Sequence, residues 1–382
     1  MFPLSLSGEV ELSASVEASV VSNMQVQEAL KSYLTASHLT SHLDVPPGAE
    51  MKFHVSDSST RLGALAEFWK VLVDETDRFD LAPDKPTVIL LTFADNPALA
   101  SYTNFSLIDK CIDFTQQLCL AQGHRREMVH FHPNGKPGRR APFPTLMITL
   151  MKTNSKYTPS DFPQPPLHPQ EVALQSLGPA HQALVTSFEH LYNRAASSSS
   201  TDRLPSPILR NALSRTTTPA SIITTLQSWL ATHTGTPLFC HAVDTYHVSE
   251  ATHAEEAYVD AWRVIEELAV RGRAADKRRR TQDRKREMER NWSTGRQVTH
   301  PVKRTVVSAM LVTPVFMPFN AEMYKRYSVT ITSVLSRLTD EKMTGVMFHP
   351  EYVCGKKGGG DNVSRRTAFP CLQFIWEVDG RE

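Results

Sequence analysis

No run of about 18 consecutive apolar residues occurs anywhere in the chain, so no segment has the length of a hydrophobic membrane-spanning helix and no membrane partner is expected. An excess of one charge is lacking too. Against 41 Lys and Arg stand 40 Asp and Glu, and a formal net charge of +1 gives no general attraction to polyanions. Cysteine is scarce: Cys111, Cys119, Cys240, Cys354 and Cys371 are five in 382 residues and include no Cys-x-x-Cys pair. That count and spacing fit neither a secreted disulfide scaffold nor a zinc ribbon, and point to a reducing compartment. The stretch from Met1 to Val21 carries Glu9, Glu11 and Glu17 but no Lys or Arg, unlike a secretory signal or an Arg-rich transit peptide. A cytoplasmic protein without a cofactor is therefore expected.

What the chain does have is repetition. Phe53-His54-Val55-Ser56-Asp57 returns as Tyr246-His247-Val248-Ser249-Glu250, and a tryptophan follows each histidine at the same distance, Trp69 and Trp262. Phe131-His132-Pro133, followed by Arg139-Arg140-Ala141-Pro142-Phe143-Pro144, returns as Phe348-His349-Pro350, followed by Arg365-Arg366-Thr367-Ala368-Phe369-Pro370. The matched spacing of the first pair and the recurrence of the second predict a tandem duplication, with each copy one supersecondary unit. An apolar share of 41% with 21% charged residues is ordinary globular composition, enough for two cores.

The expected organisation is an N-terminal arm over 1–28, a first unit over 29–152, a Pro- and Ser-rich linker with one helix (Glu171 to Asn193) over 153–220, and a second unit over 221–382. In the first unit, Leu30, Tyr33 and Leu34 suggest a helix, Met51 to Ser56 a strand, and Leu62, Leu65, Trp69 and Leu72 a helix with one apolar stripe. Thr87 to Leu91 reads as a buried strand. Ser106 and Asp109 resemble a capping box opening a further helix, and Val129 to His132 and Thr145 to Leu150 complete the sheet. The second unit repeats this with a helix at Leu226 to Leu230, a strand at Tyr246 to Ser249 and a helix through Trp262. A strand at Thr305 to Val307, a helix from near Asn320, and strands at Gly345 to His349 and Cys371 to Val378 follow. The fold class is α/β: two units of β-α-β-α-β-β order, each a mixed sheet with a parallel first crossover, an antiparallel last pair and helices on one face, packed as a pseudo-dimer.

These elements and motifs resemble the uncharacterised family catalogued as domain of unknown function 1415. In that family an aromatic-bearing helix leads to a Leu-Cys-Pro-Phe-Ala segment and a strand ending Val-Ser, and Phe-His-Pro, a loop with Asn and Arg, and Tyr-Pro-Thr-Leu come later. Here the second unit offers Trp229, Leu238 to Ala242, Tyr246 to Glu250, Phe348 to Tyr352, Asn362 through Arg366, and Phe369-Pro370. The first unit offers Phe131-His132-Pro133, Arg140 and Phe143 to Leu146. Phe239 stands where the family has cysteine, and Cys240 falls at its proline. The resemblance implies an architecture rather than an activity.

The chemistry-bearing candidates lie where strands end. His132 and His349 precede a proline at a sheet rim; an imidazole there moves a proton near neutral pH, or else hydrogen-bonds the loop backbone and holds the turn. Arg140 and Arg366, each beside a second arginine (Arg365 in the second unit), suit a carboxylate or phosphate. The second loop adds Tyr352, Lys356, Lys357, Asn362 and Gly358 to Gly360, a flap able to enclose an anion or simply solvated, without Walker spacing. Cys240 beside His241 reads as an activated thiol or as a buried structural cysteine. His130 and His132 share a strand face, but no third ligand closes a metal site. The expectation is a small-anion site in the second unit: His349, Arg366 and Cys240 for chemistry and Tyr352, Lys356, Asn362 and Arg365 for binding, with His132 and Arg140 of the supporting first unit as further binding candidates, and hydrolysis or group transfer on a phosphorylated or carboxylated metabolite.

The competing expectation is a non-enzymatic scaffold. Residues 271–304 hold 13 Lys and Arg against 4 Asp and Glu, without counterpart in the first unit. Arg278, Arg279, Arg280, Lys285 and Arg286 are its centre, a site for RNA or an acidic partner, or a solvated helix extension.

Overall fold

The computed structural model describes residues 23–36, 46, 48–81, 85–120, 126–136, 139–150, 218–233, 243–292, 305–316, 321–349, 352, 365, 367 and 369–378. Thr87–Thr92, the β-branched run read as a buried strand, is strand β2 of the first unit and is buried at every position. It pairs in parallel with β1 (Glu50–Val55) and antiparallel with β4 (Thr145–Leu150), and β4 pairs antiparallel with β3 (Arg126–Phe131). The order β1-β2-β4-β3 recurs in the second unit as β5-β6-β8-β7, with β5 at Thr245–Val248, β6 at Thr305–Val312, β7 at Met343–Phe348 and β8 at Cys371–Val378. Both sheets are mixed, with parallel first crossovers and antiparallel last pairs, as the element order predicts. In each, the last strand inserts between the second and third.

Six helices are described. In the first unit α1 is Asn23–Ala36, α2 Arg61–Leu81 and α3 Tyr102–Leu120; in the second, α4 is Pro219–His233, α5 Ala254–Trp292 and α6 Ala321–Leu338. Helix α1 begins at Asn23, inside the segment expected to be an arm. Helix α3 begins one turn before Ser106: Phe105 N–H donates to Ser101 O at 3.0 Å, so Ser106 does not cap it and Asp109 is released for another partner. The expected linker helix lies outside the described residues.

The crossover helices α2, α3, α5 and α6 lie between the two sheets and share one core. It runs from Ile89, Leu91, Leu146 and Ile148 of the first sheet through Leu65, Trp69, Tyr258, Trp262 and Tyr327 to Leu311, Leu372 and Phe374 of the second. Trp69 of α2 stacks on Tyr258 of α5, ring centroids 4.7 Å apart and planes at 27°. Tyr258 Oη and Thr330 Oγ1 are 2.7 Å apart, and Tyr327 Oη donates to Ala257 O at 2.8 Å, so these buried phenols keep hydrogen bonds. The outer faces are covered by the first helix of each unit. Tyr33 of α1 packs on Val88, Leu90, Phe131 and Met147, and Ile222, Leu226 and Trp229 of α4 pack with Met310, Val312 and Phe348. Strands buried on both faces read as near-continuous apolar runs, the pattern of Val88 to Leu91 in β2 and Leu146 to Ile148 in β4, whereas β8 carries buried Gln373 and exposed Glu377.

The repeated His-Val-Ser motif is a joint between strand and helix. Ser56 N–H extends the β1–β2 ladder to Thr92 O, and Ser56 Oγ accepts Ser58 N–H at 3.2 Å while donating to Glu67 Oε2 at 2.6 Å. Ser249 repeats each bond, to Val312 O, from Ala251 N–H and to Asp260 Oδ2. The motif therefore fixes how α2 and α5 leave their strands.

Two expectations follow. Gly272 of α5 sits where a Cβ would lie 2.2 Å from the Trp376 ring of β8, so Gly272→Ala is expected to cost about 1–3 kcal/mol in urea denaturation; an unchanged midpoint would refute the close packing. Burial pushes the His247 imidazole below its ordinary 6.5; Glu267 pulls it back, and Arg263 and Arg271 push it down further. With a lowered folded value, the unfolded chain takes up its proton first, so this contribution to stability is full above pH 6.5 and lost as pH falls through and below it. His247→Gln should flatten that acid-side decline, and identical slopes for the two proteins would show that the residue plays no part.

Candidate functional site

Strand β3 carries His130 and ends at Phe131, so His132 is the first residue of the turn. Alternation sends Phe131 to the α1 side, whereas His130 and His132 both face Phe105 of α3, at 6.1 and 5.3 Å between ring centroids. The two histidines then differ. His132 is fully buried and both ring nitrogens are engaged by the main chain: Nδ1 accepts Asn134 N–H at 3.0 Å, and Nε2 lies 3.0 Å from Leu99 O. Those partners fix the neutral tautomer with the proton on Nε2, which donates to the carbonyl. Of the two readings for His132 the turn-holding one fits this geometry. Its own N–H and C=O close the loop, to Arg139 O at 3.1 Å and from Gly135 N–H at 2.8 Å.

His130 is instead partly exposed, and its Nδ1 lies 2.9 Å from Asp109 Oδ2, the carboxylate released from the cap of α3. It lines a cleft of about 320 Å³ with Tyr102, Gly135, Lys136 and Arg139. A carboxylate on Nδ1 orients the ring and favours the tautomer that leaves Nε2 to a ligand. Lys136 and Arg139 are exposed and supply positive charge. Gly135 is required by close approach: a Cβ there would lie 2.7 Å from Arg139 O and 3.0 Å from His132 O. Arg140 ties this loop from outside, Nε donating to Gly135 O at 3.0 Å, and does not line the cleft.

The second unit, where the site was expected, is arranged differently. His349 is fully buried, its ring 5.4 Å from that of Tyr324, and its N–H donates to Arg365 O as His132 does to Arg139 O. Tyr352 takes the part of Gly135, its N–H donating to His349 O at 3.1 Å. Its ring is buried under the Arg365 guanidinium, 5.4 Å from the centroid, and Arg365 Nη1 donates to Tyr352 Oη at 3.0 Å. Tyr352 and Arg365 thus meet as expected, but stacked on each other, and Met347 replaces His130 two residues before the histidine. Arg366, Lys356, Asn362, Cys240 and His241 lie outside the described residues. Burial pushes the Cys111 and Cys371 thiols up to about 12, so neither is a thiolate at neutral pH.

The basic run is helical from Arg271 through Trp292 as the continuation of α5. Arg278, Arg280 and Lys285 are exposed. Arg279 is mostly buried, its Nε 3.9 Å from Asp283, unlike the exposed Arg278, Arg280 and Lys285. The side chain of Arg286 lies outside the described residues.

Sequence reasoning named His130 only as half of a metal pair and Asp109 only as a cap. The signal available was the shared face of His130 and His132; what it could not supply is that α3 lays Asp109 against β3. No protein-family model, curated protein or solved structure matches the chain.

His132→Gln should leave the Leu99 carbonyl or the Asn134 amide without a partner and lower stability by about 1–3 kcal/mol, read from urea denaturation. A variant as stable as the parent would mean that this histidine does not hold the turn.

Proposed function

We propose that the protein binds a small phosphorylated or carboxylated molecule in the first-unit cleft and hydrolyses it or transfers a group from it. The observation that carries this reading is the Asp109–His130 pair at 2.9 Å, opening on a cleft that also holds Lys136 and Arg139. Lys136 and Arg139 neutralise the anion. The Arg139 guanidinium offers paired N–H donors to two oxygens, and the Lys136 ammonium a point charge. His130 Nε2 takes the proton of an attacking water or hydroxyl while Asp109 stabilises the resulting imidazolium. Tyr102, at the start of α3, adds a phenol to the wall.

In this reading the units have diverged. The second keeps the closure from His349 N–H to Arg365 O but carries buried Tyr352 and Met347 where the first has Gly135 and His130, so the first acts and the second supports, the reverse of the sequence expectation. The motif resemblance to domain of unknown function 1415 belongs to the same reading and rests on the segments of both units that carry it, the Phe-His-Pro and Phe-Pro segments among them.

Thermal shift and isothermal titration calorimetry with inorganic phosphate, pyrophosphate and a panel of phosphorylated and carboxylated metabolites test it. Ligand stabilisation should follow RT ln(1 + [L]/Kd) and fall at least tenfold in affinity in Arg139→Ala and Lys136→Ala, while Arg365→Ala, in the second unit, keeps it. His130→Gln should retain binding and lose turnover. Retention of affinity in the Arg139 and Lys136 variants, or its loss in Arg365→Ala, would remove the first-unit cleft from consideration.

A further inference from the structure

Helix α5 runs about 18 Å from Arg273 to Lys285 at 1.5 Å per residue, with Ala275, Asp276 and Arg279 turned toward the protein and the opposite side exposed. At about 100° per residue, Arg273, Lys277, Arg280 and Arg284 form one row along the helix, and Arg278 and Lys285 fall on a neighbouring row. All six are exposed, and together they occupy an arc of about 160°. The acids of the same stretch are kept off that arc. Asp276 is buried and accepts Trp376 Nε1–H at 3.3 Å, and Asp283 faces Arg279. The i,i+4 pair of this stretch, Arg279 with Asp283, lies off the arc, so the charges are sorted by face.

We propose that this arc is a docking surface for the phosphate backbone of a nucleic-acid duplex. Three observations favour that occupant. Rows of long, flexible cations spaced by three and four residues, about 4.5–6 Å along the axis, can reach several phosphates of a strand whose charges recur about every 3.4 Å of duplex axis. The surface is convex and holds no aromatic ring between Arg273 and Lys285, so it has no platform for stacking the bases of a single strand, whereas a helix cylinder of about 10–12 Å fits the B-DNA major groove of about 12 Å. A partner helix is disfavoured because a 4,3 seam along the arc reads Val270, Ala274, Lys277, Thr281, Arg284 and Met288, with cations in the seam. Contacts of this kind carry no base readout, so binding is sequence-independent and steeply salt-dependent.

The test is fluorescence anisotropy with the full chain and labelled 20-base-pair DNA and RNA duplexes, with a single strand of the same sequence as a third probe. The triple variant Lys277→Gln, Arg280→Gln, Arg284→Gln keeps helix-forming residues at exposed positions, and circular dichroism verifies its helix. Duplex affinity should drop at least tenfold in this variant, and the slope of log K against log salt should shrink by about 0.9 per lost phosphate contact. Arg280→Lys with Arg284→Lys should restore most of the affinity, and Arg139→Ala, in the cleft of the other unit, should leave it unchanged. The proposal is overturned by undiminished binding in a helical triple variant, by absence of duplex binding at about 50 mM salt, by tighter binding of the single strand, or by competition from polyglutamate at equal charge, which would make the partner an acidic protein.

Discussion

The contact on which the rest depends is the crossing of α2 and α5, where Trp69 stacks on Tyr258 between the two sheets. Each sheet alone would present its crossover helices to water, and each helix pair is apolar on the side away from its own sheet as well as toward it. Closing the two units over one layer removes both surfaces at once, at about 1.5–3 kcal/mol for each large side chain fully buried. The ion pair that also links them, Arg61 to Asp340 at 3.1 Å, has an exposed carboxylate and contributes little beside that burial. The rigidity of the layer reaches the cleft through α3, which holds Phe105 against His130 and His132 and carries Asp109.

Given that frame, the two rims show how one backbone device serves two ends. In both units a buried histidine closes a loop through its own N–H and C=O, with an arginine carbonyl as acceptor. The first unit builds on this with glycine at the narrow point and a histidine two residues upstream, which leaves a polar opening. The second has Tyr352 and Met347 at those places, both buried. The two rims thus share the bond from histidine N–H to arginine carbonyl and differ in the side chains around it.

Strand and helix placement was legible because repeat spacing and apolar periodicity are local: Thr87, Thr145 and Cys371 begin strands where the sequence says they should. The insertion of β4 between β2 and β3 was not, because hydrogen-bond partners across a sheet leave no mark on a strand's own residues. The start of α3 was misread since Ser106 and Asp109 have a capping spacing, yet Ser101 precedes them and a full turn forms first. His132 and His349 were correctly seen as a matched pair at the rim, but sequence could not tell a ring held by main-chain atoms from one facing a cleft. That distinction depends on Leu99, a residue from a different loop. The direction of Arg279 was likewise invisible inside a run of identical charges.

A core shared between units has a consequence for biosynthesis. Trp69 emerges from the ribosome long before Tyr258, its stacking partner, exists. Until α5 is made, the nascent first half carries an uncovered aromatic flank, the state in which chains recruit chaperones or associate wrongly. Translation speed through the intervening segment therefore bears directly on yield.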